Sequence, residues 1–208
     1  TELWLAGANV TVTVGDLLLI VAPNGSGYDA SIRRVTVVES SREADRARVF
    51  LATISTSAGS VSASKPGVYV MRSTVSPFGH NAPLQPQYSS GVFQGTFSEW
   101  ALDGAELDSL LTLSSRNDKI LDNSFVVIEQ DDPDSGSRMW TFATVTAVTH
   151  RSVARYGLAG NGTRLSLSTG WTKNDDSKLD LLRTMTVAAQ SEEIALAERP
   201  LSYPVYGE

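Results

Sequence analysis

The sequence contains no cysteine and only two histidines, His80 and His150. The absence of cysteine excludes a disulfide framework, a thiolate metal cluster and a cysteine nucleophile. Two histidines leave few groups for general-base catalysis or for metal ligation. Basic residues number 17 against 23 acidic ones, for a net charge of −6, which argues against binding to a nucleic-acid backbone. This composition favours a structural protein over an enzyme.

Long apolar runs and targeting segments are missing as well. The longest purely apolar stretch, at 17–22, is far shorter than a bilayer span. The chain starts at Thr1 in an alternating pattern, without an initiator methionine or a signal peptide. We therefore expect no membrane insertion and no secretion, and we expect this chain to be part of a longer protein.

Strand patterns dominate what is present. Apolar runs, alternating residues and β-branched residues predict strands at 17–21, 35–38, 48–54, 125–128, 140–148, 163–167 and 185–189, and a short apolar run predicts another at 68–71. Helix patterns are few and short, at 40–46, 104–111 and 177–183. The sequence predicts a mainly-β fold.

An internal repeat organises these strands. The segments 3–5, 15–21, 34–38 and 48–51 have counterparts at 111–113, 123–128, 144–148 and 164–167. The residue numbers of a segment and its counterpart differ by 108 for the first two pairs, by 110 for the third and by 116 for the last. The difference therefore grows only across loops. Because a unit of this size cannot bury both faces of its sheet alone, each copy is expected to close into a small barrel or sandwich, or to share a core with the other.

The chain divides accordingly into four predicted segments. They are a first β module at 1–57, a connector with a Pro/Gly-rich loop at 58–97, a second β module at 98–170, and a short helix with a C-terminal strand extension at 171–208. Two similar antiparallel β-barrel or sandwich modules joined by a long irregular connector are typical of a structural spacer.

The histidines are the first candidates for chemistry. His80 lies in a loop bounded by Pro77 and Pro83 and has no partner at metal-site spacing, so we expect it to hydrogen-bond a fixed loop. His150 follows a predicted strand and is expected at a hairpin end. We assign no catalytic, cofactor-binding or metal-binding residues, and we predict neither a cofactor nor enzymatic activity.

Two acidic runs suggest calcium, because clustered carboxylates suit a hard cation. The run at 131–136 lacks the bidentate glutamate of a calcium loop, and its Asp, Pro, Ser and Gly are ordinary turn composition. The run at 174–176 is expected to cap the helix that begins near Ser177. Both runs are therefore interpreted as structural.

Several phrases resemble one known family. They are Leu3-Trp4-Leu5, Val14 to Ile20, Arg34 to Val38, Phe78-Gly79-His80-Asn81-Ala82-Pro83, Val145 to Val148, Tyr156 to Gly160, Thr163 to Leu165, Thr186 to Glu192 and Ala197 to Leu201. In this order they resemble the middle portion of baseplate assembly proteins of phage tails and phage-tail-like contractile injection systems. The 78–83 phrase is the most distinctive. The sequence departs from the family at Gly15, which no proline precedes, and at Asn123, where glycine is usual.

The resemblance implies a non-enzymatic structural subunit of the baseplate wedge region. Its partners would be other baseplate or tail subunits, with no nucleic acid and no membrane insertion, and it would assemble in the cytoplasm into a phage tail or tail-like particle. The sequence leaves open which neighbours it contacts, its copy number and oligomeric state, whether the two modules share a core, the length of the parent protein, and the role of His80 and the Phe78–Pro83 loop.

The alternative is a surface-binding β module that recognises a cell-envelope glycan. Such a module needs several exposed aromatic side chains that lie coplanar on one sheet face. The tryptophans are dispersed, at Trp4, Trp100, Trp140 and Trp171, which favours their use in packing.

Overall fold

Strands account for most of the chain in the computed structural model. The structure describes residues 1–7, 11–24, 27–41, 45–55, 60–61, 66–106, 109–132, 135–172 and 179–199. Strands make up 64% of the structure and helices 4%, which confirms the mainly-β prediction. The strands are β1 (Glu2–Ala6), β2 (Leu17–Asn24), β3 (Gly27–Ser41), β4 (Arg46–Ser55), β5 (Ser60–Val61), β6 (Gly67–Val75), β7 (Gln85–Ser89), β8 (Val92–Ser98), β9 (Leu110–Leu113), β10 (Phe125–Asp131), β11 (Arg138–Arg155), β12 (Leu158–Leu167) and β13 (Thr186–Ile194).

Helical structure within the described residues is limited to a 3₁₀ turn at Gly104–Glu106 and helix α1 at Asp180–Thr184. The prediction of a helix at 104–111 is wrong beyond its first turn, because Leu110–Leu113 pairs with β12 as a strand. The prediction at 40–46 is wrong over its described residues, since β3 and β4 continue their pairing as far as Ser41 and Arg46. The prediction at 177–183 overlaps α1, and its first two residues lie outside the described part of the chain.

The described residues form two compact units, Thr1–Val70 with Glu192–Glu208, and Met71–Ser191. The strand order in the first unit is β1-β4-β3-β2-β6, with β5 beside β3. The order in the second unit is β9-β12-β11-β10-β13. The two units therefore share one antiparallel pairing scheme. The first strand of the unit pairs with an inner strand, as β1 does with β4 and β9 with β12. The second strand pairs with the last one, as β2 does with β6 and β10 with β13.

Strands β7 and β8 form a separate two-stranded sheet within the second unit. No closed barrel forms among the described residues, so closure into barrel or sandwich modules stays a prediction. Strands β5, β6 and β7 and all of β8 except Ser98 lie within the predicted connector at 58–97, which is therefore not irregular over most of its described residues. The four predicted segment boundaries also stay predictions.

A left-handed residue precedes the second strand of each unit. Gly15 has φ +98°, and its backbone N donates to the carbonyl of Val35 at 2.9 Å. Asn123 has φ +64°, and its backbone N donates to the carbonyl of Val145 at 2.7 Å. Asparagine is among the few residues that tolerate this conformation, which explains how Asn123 occupies the position that Gly15 occupies in the first unit.

A β-bulge also recurs at one position in each unit. The register of β3 against β4 shifts at Thr36, and the register of β11 against β12 shifts at Thr146. The Thr36 hydroxyl donates to the carbonyl of Phe50 at 3.0 Å, and the Thr146 hydroxyl donates to the carbonyl of Ser166 at 3.1 Å. The sequence offsets between these pairs are those of the internal repeat.

Each unit has a hydrophobic core built from inward-facing strand residues. The first unit buries Leu5, Leu18, Val35, Val49 and Val70. The second unit buries Leu113, Val126, Val145, Leu165 and Ala189 at the matching strand positions. Full burial of a Val or Leu side chain contributes roughly 1.5–3 kcal/mol, so these alternating positions explain why the strands adopt this register.

Candidate functional site

The Phe78–Pro83 loop packs into the second unit. Phe78 is buried, and its backbone N donates to the carbonyl of Thr112 in β9 at 2.7 Å. His80 is half-buried, with its Nδ1 2.9 Å from the carbonyl oxygen of Pro77. The prediction that His80 hydrogen-bonds a fixed loop is confirmed, and His80 forms no ion pair with any described residue.

Tyr156 forms the centre of a polar cluster beside this loop. It lies at the turn between β11 and β12 with φ +57°, and its side chain is buried. The hydroxyl accepts a hydrogen bond from the backbone N of Asp103 at 2.9 Å and donates to Oε2 of Glu106 at 3.3 Å. Burial raises the pKa of Tyr156 to about 12. The neutral phenol therefore serves as a structural link.

Arg155 compensates the carboxylates of the same cluster. Its guanidinium lies 3.0 Å from Glu106 and 2.8 Å from Asp103. Glu106 is only 2% exposed, so its charge requires such a partner. Burial is the largest single influence on the pKa of Arg155 and lowers it, but Glu106, Tyr156 and Asp103 together outweigh burial, so the pKa of Arg155 is raised. The cluster is a buried ion network in which Arg155 pairs with both carboxylates and the Tyr156 hydroxyl donates to Glu106.

A second polar arrangement has the order of a catalytic triad. Asp118 Oδ1 lies 3.3 Å from Nε2 of His150, and Nδ1 of His150 lies 3.2 Å from Oγ1 of Thr163. Thr163 is fully buried, and its hydroxyl donates to the carbonyl of Ser115 while accepting from the backbone N of Asn117. A buried hydroxyl with both roles occupied cannot attack a substrate, so this arrangement is structural.

His150 lies inside β11 opposite Thr163, and the turn of the β11–β12 hairpin comes later, at Tyr156 and Gly157. The expectation of a hairpin-end position is therefore wrong, because pairing with β12 extends β11 beyond its apolar segment. A shallow cavity of about 240 Å³ opens beside the imidazole, lined by Arg116, His150, Arg151, Ser152, Asn161 and Gly162. Arg116 on its rim is mostly exposed and paired with Asp118.

The tryptophans do not assemble into one exposed face. Trp171 is 2% exposed, and its Nε1 donates to a carbonyl of β9 at 2.9 Å. Trp100 is half-buried, packs edge-on against Tyr156, and donates from Nε1 to the carbonyl of Pro83 at 2.6 Å. These contacts confirm the packing role expected of both side chains. Trp4 and Trp140 are half-buried on separate strands.

The acidic run at 131–136 has turn geometry over its described residues. Asp131 pairs with Arg138 at 3.1 Å, and the backbone N of Gly136 donates to the carbonyl of Asp132 at 2.7 Å. Residues 133–134, like the run at 174–176, lie outside the described part of the chain. Across the residues that are described, no group of three or more acidic or histidine side chains is placed to hold a metal ion.

The most conspicuous surface is the hairpin of β7 and β8, which sequence reasoning missed as a unit. Tyr88 stands opposite Phe93, and the turn between them, Ser90 and Gly91, has φ +51° and +80°. Positive φ at both central residues is the signature of a type I′ hairpin turn. The Ser-Gly pair between two aromatic residues is the sequence signal that points to this hairpin.

Three aromatic rings form a cluster on one face of this hairpin. Tyr88 is 64% exposed, Phe93 44% and Phe97 59%. The Tyr88 and Phe93 ring centroids lie 5.8 Å apart, and those of Phe93 and Phe97 lie 5.4 Å apart. The ring planes are tilted by 55° and 59°, so the rings form a corrugated apolar face rather than a flat platform. We call these three residues the aromatic face.

No family model, curated protein or solved structure matches this chain. Within the described residues, no helix has the length and apolar character needed to cross a bilayer. The geometry of the chain's own residues is therefore the basis for a functional assignment. The aromatic face is the candidate functional site, because neither histidine is placed for catalysis and the buried ion network is fully paired.

Proposed function

We propose that this chain is a structural part of the baseplate of a phage tail or phage-tail-like contractile injection system. It acts through protein–protein contacts with other baseplate or tail subunits and performs no chemistry. The baseplate assignment rests on the ordered phrases that resemble that family, of which Phe78 to Pro83 is the most distinctive. The contact function rests on the aromatic face.

The aromatic face is the single observation that supports a contact function. Aromatic residues are enriched at protein interfaces, and a contiguous exposed apolar patch usually marks an interaction site. The segment from Leu84 to Ser98 contains no residue that is charged at neutral pH, although the chain carries a net charge of −6. A solvated surface hairpin would normally carry charges, so its neutral composition suits burial against another protein.

The matching strand order in the two units also suits a scaffold. We interpret the two units as two copies of one β module. The position before the second strand, the bulge threonine and the buried strand positions all agree between them. A duplicated module of this kind supplies rigid surfaces, and the loop at Phe78–Pro83 is used for packing within the second copy.

The glycan-binding alternative has less support. Sugar rings stack on aromatic side chains that present flat, coplanar faces, whereas the rings of the aromatic face are tilted by more than 50° to one another. Trp171 is buried and Trp100 is engaged in packing, so neither supplies a platform. A glycan array probed with the chain tests this alternative directly, and we expect no saccharide to bind.

The proposed function is tested on the parent protein and its genomic neighbours. We expect the parent gene to lie among genes for tail sheath, tube and spike proteins, and its product to be present in purified particles by mass spectrometry. Deletion of the gene should yield tubes or sheaths without assembled baseplates in electron micrographs. A parent gene far from any tail gene, together with particles that lack the protein, would overturn the proposal.

A further inference from the structure

The outer edges of β7 and β8 are uncovered, in contrast to the outer edges of β1 and β9. In the first unit, the outer edge of β1 is covered by residues 195–197 through backbone hydrogen bonds. In the second unit, the outer edge of β9 is covered by residues 76–78 in the same way. No described strand pairs with the outer edge of β7 or of β8.

We infer that the aromatic face docks into an uncharged apolar groove on a different protein, with its side chains rather than its strand edges making the contact. This inference rests on the proposed function and names the kind of partner that the contact surface takes. Three features support this inference. The strand edges indicate the mode of contact, the charge pattern indicates an uncharged partner surface, and the exposed area indicates a different protein.

The strand edges of the hairpin are unsuited to adding a further strand. Pro86 in β7 has no backbone N–H to donate. Between the pairs Pro86–Phe97 and Tyr88–Phe93, one residue of β7 opposes three residues of β8, and Gly95 at this bulge has φ +71°. Prolines and bulges are the devices by which proteins block edge-to-edge pairing. The side-chain face is therefore the part of the hairpin left for recognition.

The charge pattern selects an apolar partner surface. The hairpin from Leu84 to Ser98 contains no Asp, Glu, Lys, Arg or His side chain that could compensate a charge on its partner. Burial of an uncompensated charge is costly, so a charged groove would be rejected. An uncharged groove lined by aliphatic and aromatic residues can desolvate the rings of Phe93 and Phe97, and one neutral acceptor at its rim can take the hydrogen bond of the Tyr88 hydroxyl.

The exposed area distinguishes a groove on another protein from a second copy of this chain. At ~200 Å² for each aromatic side chain, the aromatic face exposes about 330 Å². Face-to-face packing of two copies would bury only that area on each, less than half of the roughly 800 Å² per partner in a stable interface. A groove also reaches the opposite face, where Val92 is 64% exposed.

Photocrosslinking in the assembled particle tests this inference on the protein as it exists. Phe93 of the full-length parent protein is replaced by the photocrosslinker p-benzoylphenylalanine, particles are irradiated, and the crosslinked peptides are sequenced by mass spectrometry. We expect one principal crosslink, to an apolar peptide without charged residues in a different protein. The matched control places the same crosslinker at Leu121, which is 65% exposed in the same unit. We expect the control to give no crosslink to that peptide.

A second substitution shows whether the aromatic face itself is recognised. Phe97→Ser should lower the yield of the Phe93 crosslink about tenfold, as expected for a central aromatic contact residue, whereas Phe97→Tyr should retain it. An unchanged melting temperature of both variants establishes that the hairpin substitutions do not unfold the protein.

The remaining outcomes overturn the inference. They are a principal crosslink to a second copy of the same hairpin, to a charged peptide, to lipid or to glycan, an equal crosslink from Leu121, or no crosslink in particles that contain the protein. Each of these leaves the baseplate proposal intact, since the protein is still present in the particle. Particles that lack the protein altogether overturn both.

Discussion

Gly79 and Tyr156 lie so close together that there is no room for a side chain at position 79. A Cβ atom on Gly79 would lie 2.9 Å from Cδ2 of the Tyr156 ring, and Gly79 already has φ +101°, a conformation that side chains disfavour. This contact joins the Phe78–Pro83 loop to the β11–β12 turn within the second unit. The most distinctive phrase of the sequence is therefore explained by packing.

Gly79→Ala should lower the free energy of unfolding by about 2–4 kcal/mol, because backbone strain and the steric clash with the Tyr156 ring add together. The matched control is Gly136→Ala, where φ is +64° but nothing lies within 4 Å of the new methyl group. That variant should lose only about 1–2 kcal/mol. Urea unfolding measures both values. Equal losses would show that the ring contact contributes nothing.

Glu106→Gln should destabilise the protein by about 1–3 kcal/mol. The substitution keeps the shape of the side chain but removes the buried charge that pairs with Arg155 at 3.0 Å. The comparison is Asp118→Asn, which removes a mostly exposed partner of Arg116 and should cost no more than about 0.5 kcal/mol. Chemical denaturation of the two variants at neutral pH gives the difference, and a reversed ranking would contradict the role given to Glu106.

Tyr156 should make the stability of the protein fall at high pH. Its pKa in the folded state is raised to about 12 by burial, above the ordinary value of about 10 in the unfolded chain. The contribution of this raised pKa to stability is fully present below pH ~10. It is lost as the pH rises towards ~12, because the unfolded state gives up the phenol proton first. The wild type should therefore lose roughly 1–3 kcal/mol more than Tyr156→Phe over this interval. Parallel stability curves for the two proteins would refute the assignment.

Substitutions at Asn123 and at Gly15 should change the free energy of unfolding in opposite directions, although the two residues occupy matching positions. Asn123→Gly should raise the free energy of unfolding by up to about 1 kcal/mol, because φ +64° costs glycine less than asparagine. Gly15→Asn should cost about 1 kcal/mol, and Gly15→Val clearly more, since β-branched residues avoid positive φ. Thermal and urea unfolding of the three variants check the order, and a Gly15→Val variant as stable as Gly15→Asn would contradict it.

The aromatic face should be measurable on the isolated chain. A double variant, Tyr88→Ser with Phe93→Ser, should bind an environment-sensitive apolar dye more weakly than the wild type and change the stability by no more than about 1 kcal/mol. The control replaces Val14, which is also 64% exposed but stands outside the hairpin, by Ser. Dye binding that falls equally in both variants would show that the face is not a distinct patch.

The sequence was sufficient to predict strands whose pattern is local. The alternation at 48–54 and the apolar run at 17–21 lie within observed strands, because each carries its own inward-facing residues. The failure at 40–46 has the opposite cause. Glu39 pairs across the strands with Arg48, and this partner on the neighbouring strand extends the hairpin through residues whose local propensity is helical.

The candidate site could not be predicted because its defining property is the absence of a contact. The composition around Phe93 is compatible with a core strand or an exposed one, and only the paired structure shows that no strand among the described residues pairs with the outer edges of β7 and β8. The cluster of Glu106, Arg155 and Tyr156 is equally non-local, since the turn at Gly104–Glu106 and the end of β11 are distant in sequence. No spacing rule connects them.

The covering of β1 by residues 195–197 has a consequence for the order of biosynthesis. The backbone N of Ala6 donates to the carbonyl of Ala195, and that of Ala197 donates to the carbonyl of Trp4, so the first strand obtains its outer neighbour from a segment that is synthesised much later. The second unit, Met71–Ser191, is by then complete. The nascent first unit must therefore keep an open edge until translation passes Ala197, and a ribosome stalled before that point would hold a chain prone to strand-mediated aggregation.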